Sequence, residues 1–267
     1  MVGFNWDLFN QKGWGVFGKE VCIFNWASQA RKNVCERLLL KDFKNDQFRC
    51  GGTWFVGVNF LNNDEFGGLG KVSFKGQFVQ AITQKYGSMF KTWDQAQISI
   101  CFKGYPQPMA GESHTSFNYR KNRFNAHVDG ILPVGSTKRR YAREYHAFIL
   151  GVPLVNYNKF AAPVVVWEGS HKIMHECLSK QLIELDTVLW KSEDITSIYN
   201  EARREIFVKC KPQIVTVPVG GSYLIHRLAL HGVMPWAENG KSGHGGRMIA
   251  YFRPQFNQVK FWLNRMA

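Results

Sequence analysis

The chain of 267 residues has no long apolar run. Its longest, residues 147–154 and 161–167, fall far short of the ~20 residues that cross a bilayer, so no membrane-spanning helix is expected. Residues 1–7 show neither the basic region nor the continuous apolar region of a secretory signal, and a cytoplasmic location is expected. Cysteine is sparse. The six, at positions 22, 35, 50, 101, 177 and 210, are never closer than 13 residues, which excludes paired-cysteine zinc or redox motifs and leaves buried free thiols. There is no internal repeat and no Pro/Gly/Ser-rich linker, so one domain is expected over residues 1–267. Acidic residues are also few: 20 against 34 basic ones, for a net charge of +14. That balance attracts phosphates, nucleic acid or anionic lipid, but the basic residues are scattered, and the densest group, Lys138-Arg139-Arg140 with Arg143, is short.

What is present is apolar material for a core, 45% of the chain, with 21 Phe, 9 Trp and 9 Tyr, and this excludes disorder. Trp26, Ala30, Val34 and Leu38 stand at helical spacing, with Asn25 or Ser28 near the start as candidate caps. A second apolar stripe, Phe78, Val79, Ile82, Tyr86 and Phe90, predicts a helix over residues 76–90 that faces a core. Beyond Trp93 the pattern changes to short β-type runs: 97–102, 124–131, 145–153, 163–167, 213–217, 222–225 and 248–252. Their Gly, Pro, Asn and Ser boundaries predict an antiparallel sandwich or barrel. Residues 171–211 turn polar and helical, with Asp194 placed to cap a helix over 194–208, and read as an insertion covering one end of the barrel.

The chemistry-bearing constellation is His127-Val128-Asp129 with a distant His231. On a strand, residues i and i+2 share a face, so an imidazole and a carboxylate can converge, and His231 supplies a third ligand from elsewhere. Two histidines and one carboxylate form the facial triad suited to non-haem Fe(II), with positions left for a co-substrate and oxygen. Arg247, 16 residues beyond His231, is placed one strand on, where a guanidinium pairs bidentately with the distal carboxylate of 2-oxoglutarate.

On these residues, together with Trp167-Glu168-Gly169-Ser170-His171-Lys172 and the Pro218-Val219-Gly220-Gly221-Ser222 approach to His231, the chain resembles the phytanoyl-CoA dioxygenase-like branch of the Fe(II)/2-oxoglutarate oxygenases. The resemblance covers residues 97–254. It implies a mainly β fold with flanking helices, a double-stranded β-helix (jelly roll, cupin-like barrel), with residues 1–95 as a helix-bearing extension packed on it. It also implies Fe(2+) held by His127, Asp129 and His231, 2-oxoglutarate as co-substrate, oxygen, and hydroxylation of a small-molecule or acyl substrate. His171 then orders a loop, and His226, at odd spacing from His231, faces away from the metal. The stretch between His231 and Arg247 is long, residues 237–246 being a loop, and no hydroxyl follows His231, so Tyr145 or a residue near Gln97 is needed beside Arg247.

Two alternatives stay open. Arg247 and Arg253, six apart, resemble the arginine pair of the AlkB-like nucleic-acid demethylases, although the 102-residue interval from Asp129 to His231 and the Gly-Ser-His stretch fit the first family better. A non-catalytic jelly-roll binding module is the other. No residue pattern names the substrate.

Overall fold

The computed structural model describes residues 4–264. The N-terminal part supplies α1 (Trp6–Lys12), β1 (Trp14–Phe17), α2 (Val21–Leu39), β2 (Phe48–Arg49), β3 (Trp54–Gly57) and α3 (Gln77–Tyr86). There follow β4 (Gln97–Phe102), α4 (His114–Asn122), the hairpin strands β5 (Ile131–Val134) and β6 (Arg139–Ala142), β7 (Phe148–Pro153) and β8 (Val164–Trp167). Helices α5 (Ser170–Leu182) and α6 (Thr196–Lys209) lead to β9 (Pro212–Val215), β10 (Ser222–His226), β11 (His231–Val233) and β12 (Gly246–Phe252). No helix among the described residues is long and apolar enough to cross a membrane, and their six cysteines are free.

A seven-stranded sheet in the order β1-β10-β7-β12-β4-β3-β2 faces a three-stranded sheet, β11-β8-β9. The β5–β6 hairpin forms a separate two-stranded sheet; β7, β10 and β12 return to the large sheet while β8, β9 and β11 build the small one, and every strand pairing is antiparallel. This is a double-stranded β-helix, mainly β with flanking helices. The period-two alternation divides the large sheet's side chains cleanly. Ile149, Tyr223, Ile225 and Ile249 point inward and close on Val164, Val166 and Val215 of the small sheet. On the other face Phe148, Leu150, Val152, Ala250 and Phe252 receive Trp26, Ala30 and Val34 of α2 and Phe78, Ile82 and Tyr86 of α3. Burying each such large side chain contributes about 1.5–3 kcal/mol, so the helices are held by this outer face.

Several sequence expectations need correction. Residues 124–131 do not form a strand, because Phe124 and Asn125 take positive φ (55° and 57°) and Gly130 turns the chain at +83°. Only His127 stays in register, bridged to His231 by two backbone hydrogen bonds of 2.9 and 3.0 Å, and so occupies the fourth place of the small sheet. Neither Asn25 nor Ser28 caps α2, which starts at Val21. Glu20, just ahead of it, instead accepts hydrogen bonds from the Gln77 and Phe78 amides at the start of α3. The helix expected over 76–90 ends at Tyr86. Asp194 does receive the Thr196 amide at the start of α6, at 3.0 Å. Residues before 96 are more than a helical extension, since β1 continues the large sheet beyond β10 and β3 and β2 continue it beyond β4.

Candidate metal centre

His127 and His231 reach their common point from neighbouring positions of the small sheet, and Asp129 joins them from the turn that follows His127. Gly130 makes that turn possible: a Cβ there would come within 2.1 Å of the Glu144 carbonyl oxygen. The His127 Nε2 lies 3.1 Å and the His231 Nε2 3.9 Å from Asp129 Oδ1, and the two imidazole centroids are 4.6 Å apart. Adjacent ligands of an octahedral ion with ~2.1 Å bonds sit about 3 Å apart, so these separations suit one cation. Each Nδ1–H donates to the carbonyl two residues earlier: His127 to Asn125 at 2.8 Å, His231 to Ala229 at 3.0 Å. That fixes the tautomer in both rings and turns an Nε2 lone pair toward the carboxylate.

The protonation states fit the same arrangement. Burial pushes His231 down to about 4, aided by the nearby His127, and leaves it neutral at pH 7. Burial works against the charged form of Asp129, but the Arg253 charge and the His127 hydrogen bond outweigh it and hold the carboxyl well below its usual range. His127 is also opposed by burial, yet the hydrogen bond and charge of Asp129 raise it above its ordinary value. An ionised carboxylate beside a neutral His231 is the state in which such side chains bind a divalent cation.

The two candidate arginines are separated: Arg247 lies near the start of β12 and Arg253 is the residue just beyond its end. Arg247 is fully buried, opposite Cys101, and its Nη2 contacts Ser99 Oγ at 3.4 Å and Cys101 Sγ at 3.2 Å. Its Nε and Nη1 have no hydrogen-bond partner, and neither has the buried Tyr157 hydroxyl, whose phenol feels the Arg247 charge. Tyr223 and Tyr251, joined by a 2.8 Å hydrogen bond between their hydroxyls, complete this floor of the barrel. Tyr223 lies across β7 because residue 151 is glycine, where a Cβ would stand 2.2 Å from the ring. Arg253 is instead at the metal end: Nη1 is 3.5 Å from Asp129 Oδ2 and Nη2 donates to Gln97 Oε1 at 2.8 Å. Its backbone is pinned by Asp94, which accepts from its amide, and by His146, which donates to its carbonyl at 2.7 Å and meets Glu144 at 3.0 Å.

The remaining sequence candidates lie elsewhere. Tyr145 donates to the Ala142 carbonyl and packs against Trp190 and Trp262, outside the barrel, and so does not stand beside Arg247. The hydroxyl that does is Ser99, two residues from Gln97 on the same face of β4. His226 and His171 face each other at 4.7 Å on the outer side, where His171 donates to the Asn10 carbonyl. Ser99 meets the expectation of a residue near Gln97, whereas Tyr157, Tyr251 and the Asp94–Glu144–His146 set are not among the sequence expectations. For Ser99 a signal was available, because the alternation of Gln97, Ser99 and Cys101 puts all three on one face.

No protein-family model matches the chain, and no curated protein does. Among solved structures it is similar to EctD from S. alaskensis with bound Fe, at 12% identity and TM-score 0.50 over 93% of this chain and 74% of that one. It is also similar to AviO1 from Streptomyces viridochromogenes Tue57 (11% identity, TM-score 0.47, 93% and 92% covered). A third is the non-heme alpha ketoglutarate dependent carbocyclase SnoK from nogalamycin biosynthesis (10% identity, TM-score 0.47, 92% and 82% covered). At such identities the likeness is one of fold, and the EctD match carries it.

Proposed function

We propose that this chain is an Fe(II)- and 2-oxoglutarate-dependent dioxygenase of the phytanoyl-CoA dioxygenase-like type, which hydroxylates a small-molecule or acyl substrate at an unactivated C–H bond with release of succinate and CO2. The observation that carries the reading is the convergence of two tautomer-locked Nε2 atoms and one ionised carboxylate on one point. His127, Asp129 and His231 are the residues that would hold iron. The same fold carries iron in EctD. Bound there, iron and the keto acid supply the oxidising chemistry that side chains lack.

The floor supports the co-substrate. A buried guanidinium with two unused nitrogens is costly unless an anion meets it, and a carboxylate offers oxygens for that geometry. Ser99 and Tyr157 add hydroxyls beside it. Arg253 holds Asp129 by its outer oxygen, leaving Oδ1 directed at the imidazoles. A second reading, oxidative demethylation of nucleic acid, draws on Arg247 and Arg253 both facing inward; succinate released on a methylated oligonucleotide but on no small molecule would favour it.

Anaerobic addition of Fe(II) and 2-oxoglutarate tests the proposal. The expected result is a visible metal-to-ligand charge-transfer band that disappears in Asp129→Ala. A flat spectrum at saturating ligands would leave the fold as a binding module.

A further inference from the structure

The segment bearing His127 is bordered by a cluster of guanidiniums that have no carboxylate partner among the described residues. Arg203 of α6 donates from Nη2 to the Ala126 carbonyl at 3.2 Å, one residue before His127, and the Val128 amide meets the Tyr199 hydroxyl at 3.4 Å. The Arg203 guanidinium lies 5.6 Å from the Tyr199 ring and 5.5 Å from that of Phe207. Arg140 of β6 comes to 5.7 Å from the same Tyr199 ring, and Arg123 stacks on Phe207 at 4.2 Å. The charges of Arg203, Arg140 and Asp129 all register on the Tyr199 phenol, so this cluster adjoins the metal centre. His127, 41% exposed at its side chain, is the most open of the three candidate ligands.

Among the described residues no carboxylate lies within ion-pair distance of Arg123, Arg140 or Arg203, and the buried Nε of Arg203 has no partner. Residues 114–143 hold seven Lys or Arg against one acid, Asp129. Two of the seven are neutralised, Arg120 by Glu112 and Arg139 by Asp194. Aromatic stacking offsets part of the mutual repulsion of the others but uses none of their N–H donors. Three guanidiniums offer more donors than one carboxylate can accept, whereas a phosphate presents three strongly accepting oxygens and close to two charges. We propose that the rim formed by Arg123, Arg140 and Arg203 docks a phosphate group of the substrate, so that the bond oxidised belongs to a phosphate-bearing molecule. The docking claim stands on the rim alone; its connection to catalysis rests on the oxygenase reading above.

Calorimetric titration of the full chain at low salt with inorganic pyrophosphate, and separately with a 12-nucleotide single strand, provides the test. Wild type should bind at least one probe. Arg140→Gln should weaken that binding about tenfold, and Arg123→Gln with Arg140→Gln about a hundredfold, as expected for charge-assisted contacts. Neither substitution removes a side-chain hydrogen bond of the fold, and Arg37→Gln, on α2 where Arg37 pairs with Asp42, should leave the affinity unchanged. A salt slope of several units for the oligonucleotide would identify a phosphodiester chain, while preference for pyrophosphate would identify a phosphate ester; both support the rim. No heat with either probe, or equal affinity in wild type and the double variant, overturns it. Failure of the oxygenase reading shows separately, as intact pyrophosphate binding in a chain that forms no charge-transfer band with Fe(II) and 2-oxoglutarate.

Discussion

At the mouth of the barrel the outer nitrogens of His127 and His231 and the outer oxygen of Asp129 are engaged by backbone carbonyls and by Arg253, whereas at the floor Arg247 keeps Nε and Nη1 buried with no partner. Both regions line the same interior. The mouth is ordered through hydrogen bonds that do not need the cation, which is how a protein holds ligands in place before binding. The floor leaves its donors unmet, an arrangement that a ligand's oxygens can complete. A site built in this way should lose the metal and the keto acid through different substitutions.

The largest effects should come from the mouth. His127→Ala, Asp129→Ala and His231→Ala should each lower Fe(II) affinity and succinate formation by more than about a hundredfold, since loss of outer partners alone typically costs 10–100-fold. Arg253→Gln belongs to that outer group, and about tenfold weaker metal binding is expected, measured by competition with a chelator dye. Arg247→Gln should do the reverse, raising the KM for 2-oxoglutarate about a hundredfold with metal affinity kept, because a charge-assisted bidentate contact is lost. If the two arginine variants gave the same pattern, the division between mouth and floor would fail.

Smaller effects concern stability. Burial, against the Asn10 carbonyl contact, pushes His171 down to about 4 from its ordinary 6.5. A depressed histidine pKa means that the unfolded chain binds the proton more readily. The stability concerned is therefore fully present above pH 6.5 and is lost as pH falls toward 4, by up to about 3 kcal/mol. His171→Gln should reduce the steepness of Tm against pH in that window; an unchanged slope would contradict the assignment. Gly151→Ala drives a methyl into the Tyr223 ring and should cost about 1–3 kcal/mol by denaturant unfolding.

The legibility of the sequence follows the same contrast. Strands β4, β7, β8, β10 and β12 are visible as short apolar runs because both their faces are buried, and α2 and α3 because each presents one apolar stripe. Strands β1 to β3 are not, since at two to four residues their pattern is too short to have a period and their place is set by edge pairing. His127, Asp129 and His231 stand out through residue type and spacing, although the strand expected around His127 is a single bridge. Arg253 is legible as a residue but not in its contact with Asp129, which depends on where β12 ends beside a turn more than a hundred residues earlier. The hydroxyl near Arg247 comes from Ser99 rather than Tyr145, because Tyr145 precedes β7 and turns into the outer cluster with Trp190 and Trp262.

Titration with Co(II), followed by visible absorption, tests the metal centre most directly. One equivalent should bind per chain and give the weak ligand-field bands of a six-coordinate N/O site, and these should be lost in His127→Ala and His231→Ala. Absent bands, or a spectrum unchanged in both variants, would contradict the assignment of His127, Asp129 and His231 as ligands.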